Sequence, residues 1–271
     1  MIILSTSFIV NANIQINDNK DLFNGKEYRA LLIGINNYPG THNDVPFSIN
    51  EITVFKNTLL NTSNWKEENI IMLTDLDANN QNLENELNLI SQQSDDNDLF
   101  LFYFAGHGGK NTSSEEYIRL FDEKITDNEL DGLLDDINGR QIVILDCCYS
   151  GGFLTELKQN NRVILTACRG DEETYQDFNL RSGIFGYYFN LALSRITKTA
   201  ELSFFLASIF TVRYTKKLSE DYQEDYTTNP MMSDGKFGFL FIITFRKIFA
   251  SKINIDELMY TQPGNTRLWK L

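Results

Sequence analysis

The chain has 271 residues and a formal net charge of −13; a surface this acidic repels phosphate backbones and argues against a nucleic-acid partner. Hydrophobic residues make up 42% and charged residues 23%, ordinary globular usage, and no run approaches the ~18 consecutive apolar residues that span a bilayer. Its cysteines, Cys147, Cys148 and Cys168, are odd in number and include an adjacent pair whose bridging would be strained, so reduced thiols in a cytoplasmic setting are expected.

Residues 1–25 read as a lead-in. Met1 to Ala12 is apolar and ends on a small residue but lacks the basic start of a signal peptide; secretion is the alternative to a cytoplasmic location if this stretch acts as one. Arg29–Ile33 is a short apolar run stopped by Gly34, and Ile49–Leu60 carries apolar residues at helical spacing. Ile70–Leu73 is a second short run, and Leu83–Ile90 repeats Leu at helical intervals. Leu99–Phe104 (LFLFYF) is a strand-like run ended by Ala105-Gly106. Glu129–Ile137 is a helix candidate behind a Thr126-Asp127 cap. Gln141–Leu145 and Val163–Ala167 are further short runs, Ile184–Leu193 and Leu202–Leu218 have helical patterning, and Phe237–Phe245 closes the series. Apolar runs alternating with helices predict an α/β fold, a mostly parallel six-stranded sheet covered by helices on both faces. One domain over residues 26–245 is expected, with residues 246–271 as a C-terminal appendage.

In open α/β sheets, chemistry collects at the carboxyl ends of the strands. Two ends stand out: Phe104-Ala105-Gly106-His107-Gly108-Gly109 and Asp146-Cys147-Cys148-Tyr149-Ser150-Gly151-Gly152. His42 lies in a polar Asn/Asp loop and reads as solvated, which leaves His107 as the candidate acid/base. A buried cysteine is usually a small hydrophobe, but a thiol beside an imidazole can lose its proton and attack a carbonyl. The Gly108 N–H and the nucleophile's own N–H are placed to hold the resulting oxyanion.

The pair YFAGHG and DCCYSGG resembles the His and Cys blocks of the caspase-like peptidases, and most closely those of metacaspases and their prokaryotic relatives. KEYRALLIGINNY is similar to that family's first strand, Val45–Leu59 to its next helix, and LTACRGDEETY and Asn229-Pro230 to its second half. The resemblance implies a cysteine endopeptidase with a caspase-like fold. Aligning Asp146 and Ser150-Gly151 with the family's Asp-Ser-Cys-His-Ser-Gly block makes Cys148 the nucleophile and His107 its partner; Cys147 falls on a small-residue slot, and Tyr149 replaces the usual His. Asp146 stands where strict caspases carry Gln, which points away from cleavage after Asp.

The resemblance also puts Asp146 and Glu51 in the pocket for the residue before the cut, where carboxylates would recognise Arg or Lys. Protein or peptide substrates with a basic residue there are the expected partners. No cofactor is expected to be required. Many metacaspases need calcium, and Asp122, Asp127, Asp135 and Asp136 are the candidate ligands; Asn128 and Thr155 interrupt the family's acid pattern, so at most weak calcium dependence is expected. The competing reading is a catalytically silent caspase-like module for binding or assembly. A redox role for the adjacent cysteines lacks the Cys-x-x-Cys spacing such chemistry uses.

Overall fold

The computed structural model describes residues 25–40, 44–113, 115–235, 240–243 and 266–271. The lead-in and His42 lie outside the described residues, as do most of the expected appendage and part of the Phe237–Phe245 run. In chain order the elements are β1 (Tyr28–Gly34), α1 (Ser48–Leu60), β2 (Ile70–Thr74), α2 (Asn80–Gln93), β3 (Leu99–Ala105), β4 (Gly108–Lys110), β5 (Glu116–Arg119), β6 (Lys124–Thr126), α3 (Asp127–Asp135), β7 (Arg140–Asp146), β8 (Arg162–Thr166), β9 (Tyr175–Asp177), β10 (Ser182–Gly183), α4 (Ile184–Arg195), α5 (Ala200–Tyr222), β11 (Met231–Asp234) and β12 (Leu268–Lys270).

The main sheet has six strands in the order β11-β8-β7-β3-β1-β2. All neighbours are parallel except β11, which runs antiparallel to β8 at one edge. The apolar runs are continuous rather than alternating because the sheet is covered on both faces. Along β3, Leu101 and Tyr103 face the layer of α1, α4 and α5, while Phe100, Phe102 and Phe104 face α2 and α3. Two cores result, one on each side of the sheet. At the α3 start, the Thr126 hydroxyl accepts from the Glu129 N–H and the Glu129 carboxylate accepts from the Thr126 N–H, the reciprocal cap that the Thr126-Asp127 signal predicted.

The sixth strand is not the one the sequence pattern suggests. Met231–Asp234 supplies it, an exposed edge strand without a continuous apolar run. Of the Phe237–Phe245 run, Leu240, Ile242 and Ile243 are buried in the core beside α5, while Phe241 makes only an isolated bridge to Thr199. An apolar run marks burial, and burial here comes from helices rather than from strand neighbours.

Arg162 fastens β7, β8 and α3. It is fully buried, and its guanidinium donates to Gln141 Oε1 at 2.8 Å, to the Leu157 carbonyl at 2.8 Å, to Asp131 Oδ1 at 2.6 Å and to Asp135 Oδ1 at 3.0 Å. Each of its three nitrogens has a partner, as a buried cation requires; removing a partner from such a group typically costs ~3–5 kcal/mol.

Candidate active site

β3 and β7 are adjacent and parallel, with Ala105 opposite Asp146. His107 and Cys148 each lie two positions beyond that pair. The sheet register therefore delivers both candidate residues to neighbouring strand ends. His107 is half-buried, its backbone N–H donates to Tyr38 Oη at 2.9 Å, and the two rings meet with centroids 4.7 Å apart. Tyr38 in turn donates to the Arg119 carbonyl at 3.2 Å. The loop carrying Tyr38 after β1 is held by Asp75, whose carboxylate accepts the Asn36 and Asn37 N–H groups at 2.8 and 2.9 Å. Gly108 follows at the mouth: a Cβ there would sit 2.4 Å from the Cys148 carbonyl and 2.8 Å from Cys147 Sγ, so only a glycine lets the His loop approach the Cys loop.

The thiols are sealed. Cys148 is 1% exposed and Cys147 fully buried. The Thr174 N–H donates to Cys148 Sγ at 3.3 Å, and the thiol lies 3.6 Å from the Thr174 carbonyl. Burial pushes the Cys148 thiol well up, against the pull of the Thr174 N–H. Tyr149 follows in a left-handed conformation, φ 59°, an uncommon geometry for an aromatic residue that turns the chain sharply behind the thiol. Cys168, raised by burial to about 12, lies 3.5 Å from the Ser150 hydroxyl and 3.4 Å from the Cys147 carbonyl, behind the Cys loop.

Glu51 from α1 and Asp146 from the end of β7 come together beneath the first turn of α4. Glu51 accepts from Tyr103 Oη at 2.8 Å, Ser182 Oγ at 2.9 Å and the Gly183 N–H at 2.6 Å. Asp146 accepts from the Gly186 N–H at 2.8 Å, and its other oxygen, Oδ1, is buried without a hydrogen-bond partner. A Cβ on Gly183 would lie 2.4 Å from Asp146 and 2.9 Å from Glu51, so the glycine leaves the space the carboxyls occupy. Burial raises both carboxyls above the usual range, and the Glu51 charge raises Asp146 further. Like charges this close in a dry site cannot both ionise without a cation. The pair therefore keeps at least one proton while it is closed off from any cation.

The caspase-domain family model matches residues 27–245. The chain belongs to the caspase-domain family. It is 28% identical to Metacaspase-4 of Arabidopsis thaliana over 172 residues, 57% of this chain and 41% of that protein. It is 31% identical to Metacaspase-7 of the same plant over 148 residues, 48% of this chain and 36% of the relative. Metacaspase-1 of Schizosaccharomyces pombe is 27% identical over 147 residues, 46% of this chain and 34% of the relative. The chain thus spans less than half the length of these curated relatives. Its fold is shared with a Geobacter sulfurreducens protein of known crystal structure, with a TM-score of 0.59 at 15% identity, covering 78% of this chain and 94% of that one.

Within this caspase domain, the aspartates considered for calcium are scattered among structural tasks. Asp122 accepts the Asn80 N–H at 3.0 Å, Asp127 accepts the Asn128 N–H at 2.8 Å, Asp135 is on Arg162, and Asp136 caps the end of α3. Thr155 closes the short turn Ser150–Leu154. Among the described residues, no group of three or more His, Cys, Asp and Glu side chains is arranged to hold a metal ion. No helix among them is long and apolar enough to cross a membrane.

Sequence reasoning missed Tyr38, Thr174, Tyr103 and Ser182. Tyr38 was within reach: it follows β1, which neighbours β3, and the same strand-end argument that found His107 applies to Asn36-Asn37-Tyr38. Thr174 and Ser182 sit on chain that returns to the site after β8, and no local pattern announces that return.

Proposed function

We propose that this chain is a cysteine endopeptidase that cuts after Arg or Lys. The observation that carries the reading is the Glu51–Asp146 pair, one acid from α1 and one from the end of β7, with an unpartnered buried oxygen, at the same carboxyl end of the sheet as Cys148 and His107. An Arg guanidinium is planar and always charged, and it supplies donors in a fork that matches carboxylates. Its arrival offsets the repulsion within the pair and fills the open acceptor on Asp146.

In the proposed reaction, Cys148 Sγ attacks the scissile carbonyl carbon and its proton passes to His107. The N–H groups of Gly108 and Cys148 hold the oxyanion. His107 then gives the proton to the leaving amine, and an acyl-thioester remains on Cys148. Water, deprotonated by His107, attacks the thioester carbonyl and releases the acid, and the proton returns to Cys148.

The test is a panel of otherwise identical reporter peptides carrying Arg, Lys, Asp or Leu before the cut. Cleavage after Arg and Lys is expected, with turnover after Asp and Leu lower by at least ~100-fold. Preference for Asp, or indifference across the panel, overturns the proposed specificity.

We also propose at most weak calcium dependence. The acids that would coordinate the ion hold Arg162 and helix termini, whereas calcium takes ~6–8 oxygen ligands. Titrating calcium into chelator-stripped protein should change kcat/KM by less than about threefold, equivalent to ~0.7 kcal/mol. A large, saturable activation at submillimolar calcium would refute it.

A further inference from the structure

The small sheet β10-β9-β12 lies beside Cys148 and is completed by a distant part of the chain. β9 is held in place independently of β12. Gln176 accepts the Phe47 N–H at 3.0 Å and donates to Ser48 Oγ at 2.8 Å, Asp177 accepts from Tyr214 Oη at 2.9 Å, and β10 pairs along one edge. The other edge of β9 carries β12, antiparallel, with Leu268, Trp269 and Lys270 opposite Asp177, Gln176 and Tyr175. The pairing extends at both ends, through the Phe178 N–H to the Arg267 carbonyl at 3.0 Å and the Leu271 N–H to the Thr174 carbonyl at 3.1 Å. That Thr174 backbone is the one against Cys148 Sγ.

Side chains seat the segment as a bound peptide would be seated. The Trp269 ring meets Phe47 edge-on at 5.4 Å and stacks near Phe178 at 6.4 Å. Leu271 is buried in the same apolar cluster as Cys147 and Cys148. Lys270 pairs with Glu173, which also accepts from Tyr149 Oη at 3.2 Å. Of the segment's two cations, Lys270 is thereby spent on the rim and Arg267 lies over the Trp269 ring, 4.8 Å from its centroid, and Asp146 Oδ1 stays without a partner. An open strand edge with flanking pockets takes an extended peptide by adding it as a further strand.

We propose that Thr266–Leu271 is a tethered occupant of the chain's own peptide-binding edge, which must leave β9 before a substrate strand can reach Cys148. This rests on the peptidase reading for its consequence but not for the docking itself. Lys270 is held by Glu173 on the rim and Asp146 Oδ1 keeps no partner, so the segment occupies the edge without pairing with the buried acids. Displacement by a substrate with a basic residue exchanges a rim ion pair for one with the buried acids.

The experiment has a chemical and a catalytic arm. The chemical arm measures the rate at which iodoacetamide alkylates Cys148, read by mass spectrometry, in the full chain and in a Trp269→Ala/Leu271→Ala double variant. The catalytic arm measures kcat/KM on the Arg reporter. Both should rise at least ~10-fold in the double variant, and the hexapeptide Thr-Arg-Leu-Trp-Lys-Leu added in trans should reverse both in initial rates, before it is itself cut, competitively with the reporter. Reversal by the peptide also shows that the variant is folded. Lys270→Glu, a surface change that breaks the Glu173 pair, should raise both severalfold. Unchanged alkylation in the double variant and in Lys270→Glu, with no protection by the hexapeptide, overturns the proposal even if the reporter is cleaved. Faster alkylation with no cleavage of any peptide supports the docking and sinks the peptidase reading.

Discussion

Cys148→Ala and His107→Ala each lower kcat/KM on the Arg reporter by at least ~10⁴-fold, and Cys147→Ala stays within about tenfold of the parent. Residues that share one proton fail together, so removing either partner should cost about as much as removing both. The distinction between the two cysteines is geometric. Cys147 Sγ faces the spot where a Gly108 Cβ would be, and burial, then the neighbouring Cys168 and Cys148, push its thiol well up. Cys148 Sγ faces the Thr174 backbone at the β9 edge, the side from which an extended peptide would arrive. Cys147→Ala removes a sulfur from a packed interior and should cost stability rather than chemistry. Retained activity in Cys148→Ala together with full loss in Cys147→Ala would reverse the assignment.

How far the site could be read from sequence follows from how each residue reaches it. β3 and β7 announce themselves because strands covered on both faces are continuously apolar, and the glycine-flanked His107 and Cys148 stand at their ends. Their proximity needs only strand adjacency and a shared register. The acid pair was reached through resemblance alone: Glu51 sits on a helix where a charge normally faces water, and only the packing of α1 under α4 shows it buried at 4% exposure. β11 was missed because an exposed edge strand has no apolar signature, and its place was given to Phe237–Phe245, whose buried residues serve the helical layer. β12 was illegible for the same reason. A three-residue strand defined by an open edge elsewhere carries its information in the partner, not in itself.

Asp146→Asn is expected to make the protein less active and more stable, with the stability gain set by pH. Asn keeps an oxygen for the Gly186 N–H but cannot carry charge. Losing one partner of a buried ion pair costs ~3–5 kcal/mol, so kcat/KM for the Arg peptide should fall at least ~100-fold, while a Leu peptide is cut no faster and no slower. The stability effect runs the other way. Burial and the Glu51 charge raise the Asp146 carboxyl in the folded state. Above its ordinary value near ~3.9 the unfolded chain gives up this proton while the folded chain keeps it. Folding then takes up a proton, and stability falls by ~1.4 kcal/mol for each pH unit between the ordinary and the raised value, after which the loss is constant. Asn has no proton to hold and escapes the loss. The melting temperatures of the two proteins should therefore agree near pH ~4 and separate by at least a few degrees at pH ~8, the variant being higher, since ~1 kcal/mol moves a chain of this size by ~2–4 °C. Melts across this range, beside the peptide kinetics, decide it. A variant that melts lower at pH ~8 would mean that Asp146 is ionised and serves as the cap of α4, and full activity on the Arg peptide would remove it from the pocket.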